Sequence, residues 1–156
     1  MLAGMIVGAA CVCAGAAASY RLYRRAALLR DWQQAMIAMR AAAVYAHAGC
    51  ADTLRAGQMA VLKKLAEQVE REGADAADAY EALGGDALIR GDERAVIACV
   101  LRTLSGGGRD EQEAMLSYAE ARFSAFCERA EALRDRDARM FVSLGVLCGI
   151  CALIML

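Results

Sequence analysis

Two runs of the chain carry no charged side chain, Met1 to Tyr20 and Met140 to Leu156. All 18 basic and all 19 acidic residues lie between Arg21 and Arg139. A membrane-spanning helix takes about 20 apolar residues, with a range of about 17–25. The first run fits that length and the second lies at its lower limit. The pattern therefore predicts a transmembrane helix over 1–20, a helical domain over 21–139 and a second transmembrane helix over 140–156. Ala16-Ala17-Ala18 has the small side chains of a signal-peptide cleavage site, yet no Lys or Arg precedes the run, while Arg21, Arg24 and Arg25 follow it. Met1 to Tyr20 is thus expected to be retained. Two buried helices of a soluble protein are disfavoured because neither run has a polar stripe.

Between the runs the apolar positions recur at three and four. Leu22, Leu29, Trp32, Met36, Met39, Ala43 and Ala46 form one stripe, on a helix that continues out of the first run to Ala48 and stops at Gly49. A short segment follows around Asp52 to Ala56. Met59, Leu62, Ala66 and Val69 mark the next helix, closed by Gly73. A shorter helix runs from about Asp75 to Leu83 and ends at Gly84-Gly85. Another starts near Asp92 with Val96, Cys99, Val100 and Thr103 inward and stops at Gly106-Gly107-Gly108. The last begins near Asp110, places Leu116, Ala119, Phe123, Phe126, Ala130 and Leu133 on one face, and runs into the second apolar run. No stretch alternates with the period of a strand. The prediction is all-α: an antiparallel bundle of about five to six helices with a transmembrane helix at each terminus.

The segments Arg21 to Ala48 and Asp110 to Arg139 each give roughly 42–45 Å at 1.5 Å per residue. Both start at an apolar run, so their glycine-marked far ends are expected at similar depth. Arginine sets the orientation. Residues 21–40 hold five arginines, residues 120–139 hold five more, and nothing basic lies beyond either apolar run. Positive charge stays on the cytoplasmic side, which puts the middle domain in the cytoplasm and both termini across the membrane. Gly4-x-x-x-Gly8 and Gly145-x-x-x-Gly149 admit two readings. They are incidental glycines of membrane helices, or they let backbones approach so that the spans pair with each other or with partner helices.

Composition changes this picture little. Hydrophobic residues make up 59% and there is no proline, which suits membrane-linked helix. A net charge of −1 removes the electrostatic case for nucleic acid. Of seven cysteines, Cys11, Cys13, Cys148 and Cys151 fall in the apolar runs, while Cys50, Cys99 and Cys127 read as small buried hydrophobes of a reducing compartment. Cys148-x-x-Cys151 has redox or zinc spacing but no second pair. Gly106-Gly107-Gly108-Arg109 lacks the Gly-Lys-Ser/Thr ending of a phosphate loop, so it reads as a helix stop and linker. His47, the only histidine, reads as a turn residue. Asp75 and Asp78 sit at a helix start, where carboxylates favour the dipole, and Asp135 with Arg139 reads as a solvated ion pair. No catalytic residue, metal site or cofactor is expected.

The run Met39-Arg40-Ala41-Ala42-Ala43-Val44-Tyr45-Ala46-His47-Ala48-Gly49-Cys50-Ala51-Asp52-Thr53-Leu54 resembles the first sequence block of the stage III sporulation protein AB family. Arg102-Thr103-Leu104, the glycine loop and Arg109-Asp110-Glu111-Gln112 resemble the second. Met140-Phe141-Val142-Ser143-Leu144-Gly145-Val146-Leu147 resembles its C-terminal span. The chain departs from the family at Ala42, where an acidic residue is usual, and at Gly49-Cys50, where Pro-Leu is usual. The resemblance implies a non-enzymatic part in endospore formation, within the membrane complex that links mother cell and forespore. It also implies a helical domain similar to the cytoplasmic domain of the type II secretion inner-membrane platform protein. Such a subunit would couple a cytoplasmic secretion-type ATPase to the other membrane subunits, on the mother-cell side of the outer forespore membrane, and could self-associate. A membrane-anchored helical adaptor or sensor unrelated to sporulation would share the architecture. If an ATPase approaches the membrane it meets the far turns first, which makes Asp52, Arg109, Asp110 and Glu111 the candidate partner surface. The competing reading is that these charges only cap helices.

Overall fold

A computed structural model describes the backbone of residues 2–84 and 86–155, and the side chains of these apart from 2–8, 11, 149 and 152–155. Among the described residues six helices follow one another: α1 (Leu2–Tyr45), α2 (Cys50–Ala56), α3 (Ala60–Glu72), α4 (Ala76–Ala82), α5 (Gly91–Gly106) and α6 (Arg109–Met155). No strand occurs among the described residues. Proline-free, alanine-rich segments with a three–four apolar period have no better way to satisfy their backbone than helix.

The chain forms two compact units, Leu28–Cys127 and a terminal unit of Met1–Ala27 with Glu128–Leu156. The larger unit is built on an aromatic centre. Trp32 of α1 stacks on Phe123 of α6 at 6.2 Å and meets Tyr80 of α4 edge-on at 6.1 Å, while Phe126 stands edge-on to Phe123 at 5.7 Å. Leu29, Met36, Met39, Leu54, Leu62, Leu65, Ile97, Leu101 and Leu116 close round it, all buried. In this unit α1 and α6 run antiparallel: Trp32 meets Phe123, Arg40 pairs with Glu120 at 3.0 Å, and the Val44 carbonyl accepts from Arg109.

Several expected faces shift. On α5, Cys99 is exposed and Thr103 only half-buried, whereas Ile97, Leu101 and Leu104 are buried with Val96 and Val100. The inward arc is rotated toward the larger side chains, which remove more apolar area from water. On α3, Leu65 is buried and Val69 half-buried; on α1, Ala46 is exposed.

The first helix also stops earlier than Gly49. It ends at Tyr45, and His47 turns the chain in the left-handed region at φ 53. Gly49 is instead the extended residue that opens α2, at φ −66 and ψ 170. The other stops stand where glycine put them: Gly73 ends α3 at φ 61, and Gly84 follows α4 at φ 77. Gly85 lies outside the described residues. Asp75 caps α4, its side chain accepting from the Ala77 N–H at 2.8 Å.

The terminal unit is an antiparallel pair of helices, parts of α1 and α6, that meet through small residues. A Cβ on Gly15 would stand 2.7 Å from the Phe141 carbonyl oxygen and 3.3 Å from the Gly145 Cα, so the two backbones touch there. Ser19, Ala26, Ala130 and Ala138 are buried in the same unit, and Arg134 lies over the ring of Tyr23 at 5.5 Å. Gly145 therefore packs against a helix, and its partner glycine is Gly15. Gly4, Gly8 and Gly149 lie outside the described side chains. Among the described residues no helix is long and apolar enough to cross a membrane. The spans expected over 1–20 and 140–156 fall partly outside them.

Candidate functional site: the far end of the helical domain

The two turns that the sequence marked as far ends come together. Arg109, the first residue of α6, donates through Nη2 to the Val44 carbonyl at 3.2 Å and also contacts Nδ1 of His47. This contact explains the early stop of α1. The last carbonyls of a helix have no partner within it and carry the negative end of its dipole. A guanidinium placed there satisfies one of them, and left-handed His47 turns the chain away.

The turn between α5 and α6 is held from within. The Gln112 side-chain amide donates to the carbonyls of Gly107 at 3.1 Å and Leu104 at 3.4 Å. Gly107 is enclosed: a Cβ there would lie 2.7 Å from the Thr103 carbonyl oxygen, while Gly106 and Gly108 face open space. Gly107→Ala is expected to destabilise the larger unit by about 1–3 kcal/mol through overpacking. Gly108→Ala should be neutral or slightly stabilising, because it only restricts the unfolded chain. Parallel thermal melts of the two variants check this; equal midpoints would contradict the account of the turn.

Beside these turns lies a recess of about 410 Å³ lined by Cys50, Gly73, Asp75, Arg102 and Ser105. Ser105 Oγ accepts from the Ala76 N–H at 3.1 Å and donates to the Leu101 carbonyl at 3.2 Å, tying α4 to α5. Burial pushes the Cys50 thiol up, against the lowering effect of its hydrogen bond to Ser105, so the group is held as thiol and not as thiolate.

The four candidate charges divide by what they touch. Asp52 is 70% exposed but pairs with Arg55 at 3.1 Å, and Arg55 reaches on to Glu70 of α3. The Arg55 hydrogen bond holds Glu70 below the usual carboxylate range, and its hydrogen bonds to Glu70 and Asp52 raise Arg55. Asp52 is thus one arm of a surface clamp between α2 and α3. Arg109 is exposed and engages α1 through the Val44 carbonyl and His47. Asp110 and Glu111 are exposed in the first turn of α6. Asp135, for its part, pairs with its neighbour Arg134 at 2.8 Å. Among the described residues no group of three or more His, Cys, Asp or Glu could hold a metal ion.

A family model described as Stage III sporulation protein AB matches residues 1–156. The chain belongs to this family. No curated protein and no solved structure matched it. Family membership ties the chain to sporulation. The two stretches that carried the resemblance, Met39 to Leu54 and Arg102 to Gln112, are the α1–α2 and α5–α6 turns, and the Arg109–Val44 bond joins them.

Sequence reasoning found the charges of this end but missed what organises it. Gln112 and His47 had a signal in their positions beside helix stops. Tyr45 lies off the apolar stripe of α1, and it ends that helix 83% exposed.

Proposed function

We propose that the chain is a non-enzymatic platform subunit of the membrane complex linking mother cell and forespore. Its helical domain faces the mother-cell cytoplasm, and its two apolar ends anchor it in the outer forespore membrane. The far end of the domain couples a cytoplasmic secretion-type ATPase to the other membrane subunits. The observation that carries this reading is the junction of the two far turns through Arg109, Val44 and His47. Tyr45, Asp110 and Glu111, next to this junction along the chain, are all exposed. An exposed aromatic beside charges suits a partner interface, where Tyr and Arg carry much of the binding energy. Anchoring is supported by the described part of α6, where Met140, Val142, Leu144, Val146, Leu147 and Ile150 are all exposed. A helix that presents apolar side chains on its outer faces is suited to lipid.

Charge reversal at Asp110 and Glu111 tests the coupling. Both are exposed, so the domain should keep its fold, losing about 0.3–1 kcal/mol per residue at the helix start. Recruitment of the ATPase from sporulating cells should fall about tenfold, since rim charges govern association rate and specificity. A reversed variant that melts near the parent temperature and recruits the ATPase normally would refute the far-end surface.

A further inference from the structure

We propose that arginines of the terminal unit bind the headgroups of anionic phospholipids, an inference that rests on the membrane anchoring proposed above. Gly15 meets Phe141 and Gly145, and Tyr23 lies under Arg134. The two helices of this unit therefore run antiparallel, and Arg21 and Arg24 on α1 lie within a few turns of Arg139 on α6. All three are exposed.

The acidic groups nearby are largely taken. Asp135 is held by Arg134 at 2.8 Å, Asp137 lies 3.7 Å from Arg136, and Glu131 is itself engaged. Glu128 is exposed about three turns before Arg139 along α6. Arg21, Arg24 and Arg139 have no ion pair among the described residues. Arg21 and Arg24 are three apart and so lie on adjacent turns of one helix face.

A guanidinium binds phosphate oxygens through paired, charge-assisted hydrogen bonds. What favours a lipid over a free phosphate is the surface around these groups. Tyr20 is 63% and Tyr23 53% exposed and Met140 is half exposed, each directly beside one of the arginines in sequence, and Val142, three residues beyond Arg139, is half exposed too. Aromatic rings at headgroup level, cations facing the phosphate and apolar side chains facing the acyl chains match the three zones of an anionic phospholipid.

The test uses the full chain reconstituted in vesicles of mixed phosphatidylglycerol and phosphatidylcholine, with either lipid spin-labelled. The fraction of labelled lipid immobilised by the protein is read by electron paramagnetic resonance. Phosphatidylglycerol should be preferred by about threefold or more at low salt, with the preference shrinking as salt rises. The triple variant R21Q/R24Q/R139Q should remove it, and Arg102→Gln, exposed in α5, should leave it intact. Inorganic phosphate should compete no better than sodium chloride of equal ionic strength. A chain that stays in the vesicles through an alkaline wash but immobilises both lipids equally overturns the lipid site alone. A preference that survives in the triple variant does the same, and so does specific competition by inorganic phosphate. A chain that the wash strips off overturns the anchoring and the lipid site together.

Discussion

Trp32→Ala should cost the larger unit about 3–5 kcal/mol. Trp32 is 1% exposed and touches two other aromatic rings, so its removal leaves a cavity between α1, α4 and α6 that three helices must share. Phe123 would lose its stacking partner and Tyr80 its edge contact, contacts worth about 0.5–1.5 kcal/mol each beyond the area they bury. A domain of this size is stable by only about 5–15 kcal/mol, so the loss is a large fraction of the total. Thermal unfolding of the full chain, followed by circular dichroism, should show a midpoint lowered by more than about 10 °C. Tyr45→Ala is the control, since an exposed side chain outside the core should shift stability by less than about 0.5 kcal/mol. Equal midpoints for the two variants would contradict the aromatic centre.

The second large effect is expected at Gly15. The atom nearest a Cβ there is a backbone carbonyl, which cannot rotate away as a side chain can. Gly15→Val must push α1 from α6, at a cost of about 1–3 kcal/mol or more. Gly145→Val should do the same at the same contact. Two changes that break one contact do not add, so the double variant should cost less than the sum of the singles. Ala16→Val, on an exposed position, should be tolerated. Unfolding in detergent with increasing dodecyl sulfate, read by circular dichroism, would give these differences. A Gly15→Val variant as resistant as Ala16→Val would show that the close approach is not a feature of the protein.

Much of the fold could be read from glycine and periodicity. Gly73 and the triple glycine ended helices as expected because left-handed or crowded backbone favours a residue without Cβ. The seam of α6 from Leu116 to Ala130 was legible because bulky apolar residues recur on one face only.

The misreadings share a cause, which is that a distant segment decided them. Nothing in Ala41 to Ala48 says where α1 stops, since alanine suits helix throughout; Arg109, far along the chain, supplies the cap. The inward face of α5 was off because Cys99 and Val96 look alike by hydrophobicity, and only the neighbours decide which is covered. Cys99 ended beside Met115 of α6, its Sγ 3.8 Å from the thioether, but still exposed. Gly15 has no glycine four residues away in the chain, and its partner Gly145 is on the other helix. The charges of these turns were visible, and all four are exposed. Only the Arg109 contact with Val44 depended on a distant segment, whereas the Asp52 partner, Arg55, stands three residues on in the same helix.

The claim that most needs testing is that the far end of the domain is the face offered to a cytoplasmic ATPase. A photo-crosslinking amino acid placed at Glu111, and separately at Tyr45 and at Glu128, in the full chain within sporulating cells would test it directly. All three positions are exposed, so the label should not disturb the core. The account predicts crosslinks to a nucleotide-hydrolysing subunit from positions 111 and 45 and none from 128. Crosslinks to that subunit from 128 alone would contradict it.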